Sequence, residues 1–134
     1  MRNFVLDSSA LWVFLQHKPS GPKIAALFIE AARQRVQIFM SAINFGEVYG
    51  LVLRGEGHDR AQQLVRVIQP LSMQIVEPTV QQCCQAAEVK SRYRLYHVDA
   101  FAAALALELK ATLVTSDSDF RRLGRSVPIL WLKP

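Results

Sequence analysis

The regular alternation of short apolar segments with longer helical ones constrains the fold of this chain more than any other feature. The predicted strands are five apolar segments, at residues 3–6, 37–40, 73–76, 112–115 and 128–132. Short apolar strands that alternate with helices favour a parallel sheet whose two faces are both covered. The sequence therefore predicts an α/β fold with a central parallel sheet.

Signals between these strands predict six helices and one shorter turn. Ser8 and Ser9 are typical N-cap residues for the first helix. The predicted helices are residues 10 to about 17, about 23–33, 41 to about 55, 58–68, 79 to about 92 and 98–110, with a short turn or helix at 117–123. The chain has 134 residues, and no repeat, low-complexity segment or linker divides it, so we expect one domain, 1–134.

Charge and cysteine content restrict the setting in which the chain works. The net charge of +5 suits a polyanionic partner but does not establish one. The adjacent Cys83 and Cys84 offer neither a disulfide framework nor metal-ligand spacing, which favours a reducing compartment. Asp7 interrupts the N-terminal apolar stretch, and the apolar run at 101–107 is too short to span a bilayer. We therefore expect a cytoplasmic protein without a membrane segment.

Four acidic residues stand where a solvated acid is not expected. Asp7 closes the first predicted strand and Asp117 follows the fourth, and ligands of open parallel sheets bind beyond the carboxyl ends of the strands. Glu47 lies between Ile43 and Leu51 on its helix, and Asp99 opens an alanine-rich helix, so both are predicted to project from apolar faces.

A buried carboxylate needs a partner that compensates its charge, and the sequence allows several kinds of partner. Each acid could pair with an arginine, and Asp7 or Asp99 could instead cap a helix. Alternatively, the acids could share a hard divalent cation, because Mg²⁺ prefers oxygen ligands. A carboxylate cluster of this kind suits metal-assisted cleavage of a phosphodiester.

Three segments carry a family resemblance. They are FVLDSSALW near the start, SAINFGEVYGLVLR in the middle, and DAFAAALALELKATLVTSDSDF near the end. Together they closely resemble the PIN domains of VapC-type toxins, in the same order over nearly the whole chain. The third segment is the most specific of the three. The pair Lys110-Ala111 departs from the pattern, since a glycine often turns the chain there.

The resemblance implies a three-layer α/β/α fold, ribonuclease activity that depends on Mg²⁺ or Mn²⁺, and control by a cognate antitoxin. By motif, it assigns the catalytic and metal-binding acids to Asp7, Glu47, Asp99 and Asp117. Asp119 would be an auxiliary metal ligand, and Ser9 and Thr115 would be the hydroxyl residues near the metal. It also implies a homodimer, which the apolar surplus of so short a chain favours independently.

Two polar residues near these acids have alternative interpretations. His97 precedes Asp99 by two positions and could act as a general base, although a helix cap or a place at the pocket rim is the preferred interpretation. Asn44 lies about one helical turn before Glu47 and could orient that carboxylate or face solvent.

Basic and aromatic residues near the C-terminus also have two interpretations. Arg121, Arg122 and Arg125 could hold RNA phosphates or form a solvated face. Trp12 and Trp131 could stack on bases, but both are predicted to belong to the core.

Other function classes fit the residues less well. A phospho-signalling receiver pairs acids after its first strand, and an Asp-x-Asp phosphatase needs a second acid two positions on, whereas Ser8 and Ser9 follow Asp7 here. A PIN nuclease of RNA processing and a non-catalytic PIN-like binding domain are the remaining alternatives, and the second usually lacks some of the acids that this chain has. The sequence identifies neither the RNA nor the antitoxin.

Overall fold

Five parallel strands form the centre of the molecule in a computed structural model that describes residues 1–134. The sheet order is β3-β2-β1-β4-β5, and every neighbouring pair is parallel. The strands are β1 (Arg2–Leu6), β2 (Val36–Ser41), β3 (Gln74–Val76), β4 (Thr112–Thr115) and β5 (Ile129–Trp131). The predicted α/β fold with a central parallel sheet is confirmed.

The strand order places a switch point between β1 and β4. The chain leaves β1 for β2 on one side, whereas β4 pairs with β1 on the other, with Leu6 opposite Val114. Helices that leave neighbouring strands in opposite directions open a crevice at their carboxyl ends. Asp7 follows β1 and Asp117 follows β4, so both lie at this crevice.

Six α-helices and one 3₁₀ segment connect the strands. They are α1 (Ser8–Leu15), α2 (Gly21–Ala32), α3 (Ala42–Glu56), α4 (His58–Ile68), α5 (Val80–Tyr93), α6 (His97–Leu109) and the 3₁₀ segment Ser118–Leu123. None of these helices combines the length and the apolar character that crossing a bilayer would require.

Alternating strand residues divide the core into the two faces of the sheet. Val5 and Leu113 pack with α5, α6 and the 3₁₀ segment on one face. Phe4 and Leu6 pack with α1 and α2 on the other face, where Met40 packs with α3 and α4. Successive side chains of a strand point to opposite faces, and this produces the predicted α/β/α layering.

The structure decides between the cap residues that the sequence allowed for two helices. The N-cap of α1 is Asp7, whose side chain accepts the Ala10 N–H, so the helix begins at Ser8 and neither serine is its cap. The N-cap position of α6 is Tyr96, which makes no side-chain cap bond, and Asp99 lies inside the first turn. Asp99 therefore does not cap its helix, and the turn leaves its carboxylate free for other partners.

Lys110 turns the chain at the end of α6. Its backbone adopts φ 51° at the C-cap of α6, in the left-handed region that glycine occupies most easily. Ala111 N–H then bonds to the Ala106 carbonyl and closes the helix. A lysine in this conformation carries some local strain, and the turn leads directly into β4.

Candidate metal centre

Asp7 is held at the end of β1 by three donors. Its Oδ1 accepts the Ala10 N–H at 2.9 Å, and its Oδ2 accepts the Thr115 hydroxyl at 2.6 Å. The Ser9 hydroxyl lies 2.7 Å from Oδ1 and 3.0 Å from Oδ2. The residue is only 2% exposed. The carboxylate therefore has a fixed orientation, and hydrogen bonds rather than a cationic side chain compensate its charge.

The two hydroxyls that bind Asp7 also organise the loop after β4. Ser9 Oγ accepts the Ser116 N–H at 2.9 Å, and Thr115 Oγ1 accepts the Asp117 N–H at 2.9 Å. The hydroxyl oxygens lie 3.1 Å apart. Ser9 and Thr115 thus connect the ends of β1 and β4, so that Asp117 has a defined position relative to Asp7.

Three more acids come together beside this network. Asp99, Asp117 and Asp119 each offer a carboxylate oxygen within 4.8 Å of the others, and all three residues are half-buried. Asp117 caps the 3₁₀ segment, and its Oδ1 accepts the Asp119 N–H at 2.9 Å. The 3₁₀ turn therefore places Asp117 and Asp119 beside Asp99 of α6.

The charges of the other four predicted acids all act on Asp99. Burial raises the pKa of Asp99 to about 7, and the charges of Asp117, Asp7, Glu47 and Asp119 add to the increase in that order. Burial also raises the pKa of Asp7 to about 6, although the hydrogen bonds from Thr115, Ser9 and Ala10 oppose it. Carboxylates that repel one another in this way favour any bound cation.

The arginine hypothesis fails for four of the five acids. Arg122 lies 3.8 Å from Asp119, but no lysine, arginine or histidine forms an ion pair with Asp7, Glu47, Asp99 or Asp117. Negative charge in this crevice is therefore largely unneutralised by the chain itself.

Glu47 differs from the prediction that it projects from a buried apolar face. Its side chain is exposed, and Leu51 is 37% exposed. The buried stripe of α3 is instead formed by Asn44, Val48 and Val52, at a spacing of four residues. Glu47 lies beside that stripe at the rim of the acidic crevice, where its charge still raises the pKa of Asp99.

Asn44 has a structural role that its two predicted roles did not include. It is fully buried, and its Nδ2 donates to Ser8 Oγ at 3.1 Å and to the Val98 carbonyl at 3.4 Å. Ser8 Oγ donates to the Asn44 carbonyl at 3.2 Å. Asn44 therefore neither orients Glu47 nor faces solvent. Its spacing from Val48 and Val52 was the signal in the sequence.

The structure also locates His97 and the two tryptophans. His97 is the exposed first residue of α6 and packs edge-on against Phe101, with ring centroids 5.1 Å apart. Trp12 is half-buried against the core, as predicted. Trp131 is 38% exposed, so its assignment to the core was wrong.

The donor set fits a hard divalent cation. Three carboxylate oxygens converge within 4.8 Å, and two of their residues have no cationic side chain as a partner. Mg²⁺ and Mn²⁺ bind carboxylate oxygens and water, so the same crevice would satisfy their preferences. Asp99, Asp117 and Asp119 are the residues best placed to hold such an ion, with Asp7 and Glu47 adjoining them.

Comparisons with known proteins agree with this architecture. The family model for the PIN domain matches residues 4–126. No curated protein matches the chain. The structure of VapBC2 from Rickettsia felis, bound to a DNA fragment from their promoter, is similar with a TM-score of 0.76 and 17% identity, over 98% of this chain and 99% of that one.

Two other solved structures have the same fold. VapC20 from Mycobacterium tuberculosis, a sarcin-ricin loop cleaving toxin, is 20% identical with a TM-score of 0.72, over 90% of this chain and 95% of that one. FitAcB from Neisseria gonorrhoeae is 18% identical with a TM-score of 0.69, over 95% and 96% of the two chains.

Proposed function

Because this chain belongs to the PIN domain family, we propose that it is a divalent-metal-dependent endoribonuclease and the toxin of a type II toxin–antitoxin pair. The observation that carries the proposal is the convergence of Asp99, Asp117 and Asp119 at the switch point of the sheet. A cluster of unneutralised carboxylates is expensive to keep in a folded protein unless a bound cation compensates it.

The proposed catalytic residues are Asp7, Glu47, Asp99 and Asp117, with Asp119 as an additional metal ligand. A divalent cation supplies two things to phosphodiester hydrolysis: it acidifies water, and it neutralises charge that develops on the phosphate oxygens. The chain supplies the orientation. Asp7 is fixed by the hydroxyls of Ser9 and Thr115, and the 3₁₀ turn fixes Asp117 relative to Asp119.

RNA is the proposed substrate, and single-stranded or loop segments are the proposed targets. VapC20 from M. tuberculosis is described as a sarcin-ricin loop cleaving toxin. Unpaired bases can enter a protein site in a way that duplex bases cannot. The net charge of +5 favours association with such a polyanion.

A cognate antitoxin and a second copy of the chain are the proposed protein partners. Two structurally similar proteins, from Klebsiella pneumoniae and Mycobacterium tuberculosis, are described as a toxin–antitoxin complex and a member of a family of toxin–antitoxin systems, which supports the first of these. The homodimer rests on the family resemblance and is tested by light scattering at micromolar concentration, where a monomer would refute it. The proposed location is the cytoplasm, where Cys83 and Cys84 would remain reduced thiols.

Cleavage of a stem–loop RNA tests the enzymatic proposal. We expect cleavage with Mg²⁺ or Mn²⁺, no cleavage in EDTA, and no cleavage by Asp99→Asn. Asp59→Asn is the matched control, because Asp59 is an exposed acid on α4 that does not interact with Asp99. Full activity in EDTA would refute the metal assignment.

Induced expression in a bacterial host tests the toxin assignment separately. The wild-type chain should arrest growth and Asp99→Asn should not, while Asp59→Asn should arrest growth like the wild type. Cleavage in vitro without growth arrest would indicate a PIN nuclease of RNA processing instead. RNA binding without cleavage under any metal condition would indicate a non-catalytic binding domain.

A further inference from the structure

Trp131 and Arg121 lie beside the acidic crevice and are not used by the proposed chemistry. We propose that they form a subsite on which one base of a single-stranded RNA stacks, with Arg125 supplying a contact to the phosphate backbone. This inference deepens the proposed function and rests on it for the cleavage step, but the binding that it predicts is measured independently.

The position of Trp131 in the sheet places it next to the residues that hold Asp7. It is the last residue of β5 and pairs with Thr115 in the parallel register. The Leu132 N–H bonds to the Thr115 carbonyl at 2.8 Å, so the pairing continues to the end of both strands. Neighbouring strands lie about 4.8 Å apart, so an indole at this position adjoins the network around Asp7.

Thr115 and Trp131 also face the same side of the sheet as the acids of α6 and the 3₁₀ segment. Leu113 and Ile129, two positions earlier on β4 and β5, both pack on the cluster that contains α6. Because side chains of a strand alternate, Thr115 and Trp131 point to that face as well. Trp131 therefore borders the crevice on the side where Asp99 and Asp117 lie.

The indole of Trp131 is partly exposed and lies beside an arginine. β5 is an edge strand, and 38% of the residue remains exposed. The Arg121 guanidinium lies 5.8 Å from the centre of the indole, in cation–π range. An exposed aromatic ring with an arginine beside it is the arrangement that sequence-tolerant binding of single strands uses.

The arginines near this ring differ in their availability. Arg122 is occupied, because it pairs with Asp119 and donates to the Arg94 carbonyl at 2.9 Å. Arg121 and Arg125 are exposed, form no ion pair and line the same open groove as Trp131. No acidic residue lines that groove. It therefore offers positive charge directly beside the acidic crevice, which by itself would repel a phosphate backbone.

The chain contains two tryptophans, so a single substitution makes Trp131 a specific reporter. The experiment uses the Trp12→Phe, Asp99→Asn chain in EDTA, where no cleavage can occur. We expect saturable quenching of Trp131 fluorescence by a single-stranded RNA oligonucleotide. An abasic oligonucleotide of the same length is the control, since it has the phosphates without the bases and should quench little.

Variants of Trp131 that retain Trp12 then test the subsite. Their binding to a labelled oligonucleotide is followed by fluorescence polarisation. Trp131→Leu should weaken binding by roughly 5- to 100-fold, in line with the loss of stacking on one base. Trp131→Phe should retain most of the affinity. Equal quenching by the abasic strand, or unchanged affinity for Trp131→Leu, would overturn the proposal.

The two proposals fail in different ways. If the wild-type chain cleaves RNA but Trp131 does not respond to it, the nuclease assignment stands and the stacking subsite is wrong. If Trp131 responds to single strands with bases while no metal supports cleavage, the subsite stands and the nuclease assignment is wrong.

Discussion

The Thr115 hydroxyl donates a 2.6 Å hydrogen bond to Asp7 Oδ2, and its oxygen accepts the N–H of Asp117. One side chain thus connects acids that follow two different strands. Ser9 also directs its hydroxyl proton to Asp7, so the 3.1 Å contact between the two hydroxyl oxygens has no proton to share while Asp7 is ionised. The network is therefore matched to a charged Asp7.

Thr115→Val should destabilise the protein at neutral pH by about 1.5–3 kcal/mol, because it removes a buried hydrogen bond to a charged group. It should also raise the pKa of Asp7 further, since the Thr115 bond opposes the effect of burial. Urea unfolding and carboxyl-carbon NMR titration measure the two effects. Thr112→Val is the control, because Thr112 lies on the same strand outside the network. Equal stability of the two variants would contradict the prediction.

Asp99→Asn should abolish RNA cleavage without lowering the stability of the metal-free protein. The substitution removes a carboxylate that four other acids repel and that no arginine pairs with. Removing one partner of a buried ion pair would instead cost about 3–5 kcal/mol. Thermal melting in EDTA, beside a cleavage assay, separates the two cases. A variant that melts far below wild type and still cleaves RNA would show that Asp99 has a structural role.

The metal-free protein should lose stability relative to Asp99→Asn as the pH rises from about 4 to about 7. The pKa values of Asp7 and Asp99 in the folded state are about 6 and about 7, above their ordinary value of 3.8. The folded state therefore binds more protons than the unfolded state in this window, and its free energy of unfolding falls with rising pH. Urea unfolding in EDTA gives the free energy of unfolding of both proteins at each pH. Taking the difference between them removes the general effect of net charge. A difference that is constant with pH would refute the shift at Asp99.

Mg²⁺ or Mn²⁺ should raise the melting temperature of the wild-type chain in a concentration-dependent way. A ligand of the folded state adds about 2.7 kcal/mol at one hundred times its Kd. The effect should be larger at pH 8 than at pH 5, because protons compete for Asp7 and Asp99 at the lower pH. Asp59→Asn should respond like wild type, and Asp99→Asn should respond weakly. An equal response of all three proteins would point to binding elsewhere.

Asn44 and Ser8 should show a coupling energy in a double-mutant cycle. Asn44→Ala leaves Ser8 and the Val98 carbonyl without a donor, so we expect a cost of about 1–3 kcal/mol. Ser8→Ala breaks the same Asn44 Nδ2–Ser8 Oγ bond, in addition to the bond from Ser8 Oγ to the Asn44 backbone carbonyl. Because one bond is common to both substitutions, the double variant should lose less than the sum. Because Ser8 adjoins Asp7 and Val98 adjoins Asp99, Asn44→Ala should also weaken the response to Mn²⁺. Additive costs would show that the two residues act independently.

Local patterns were sufficient to predict the elements of the fold. The helix His58–Ile68 and the strand Thr112–Thr115 have the predicted bounds, and each of the other strands differs by a single residue at one or both ends. Periodicity and end signals depend on neighbours in the chain, so they can be recognised without the tertiary structure. The same signals placed Asp7 and Asp117 after strands.

The tertiary structure alone decided which residues meet and which are buried. The order β3-β2-β1-β4-β5 brings Asp7 beside Asp117, and it leaves Trp131 exposed on an edge strand. Glu47 and Asn44 lie on one helix, but the packing of α3 buries the polar amide and exposes the acid. A helical pattern shows which residues share a face, whereas the elements that cover that face come from distant parts of the chain. Burial, and with it the pKa of a carboxylate, therefore depends on contacts that the local sequence does not specify.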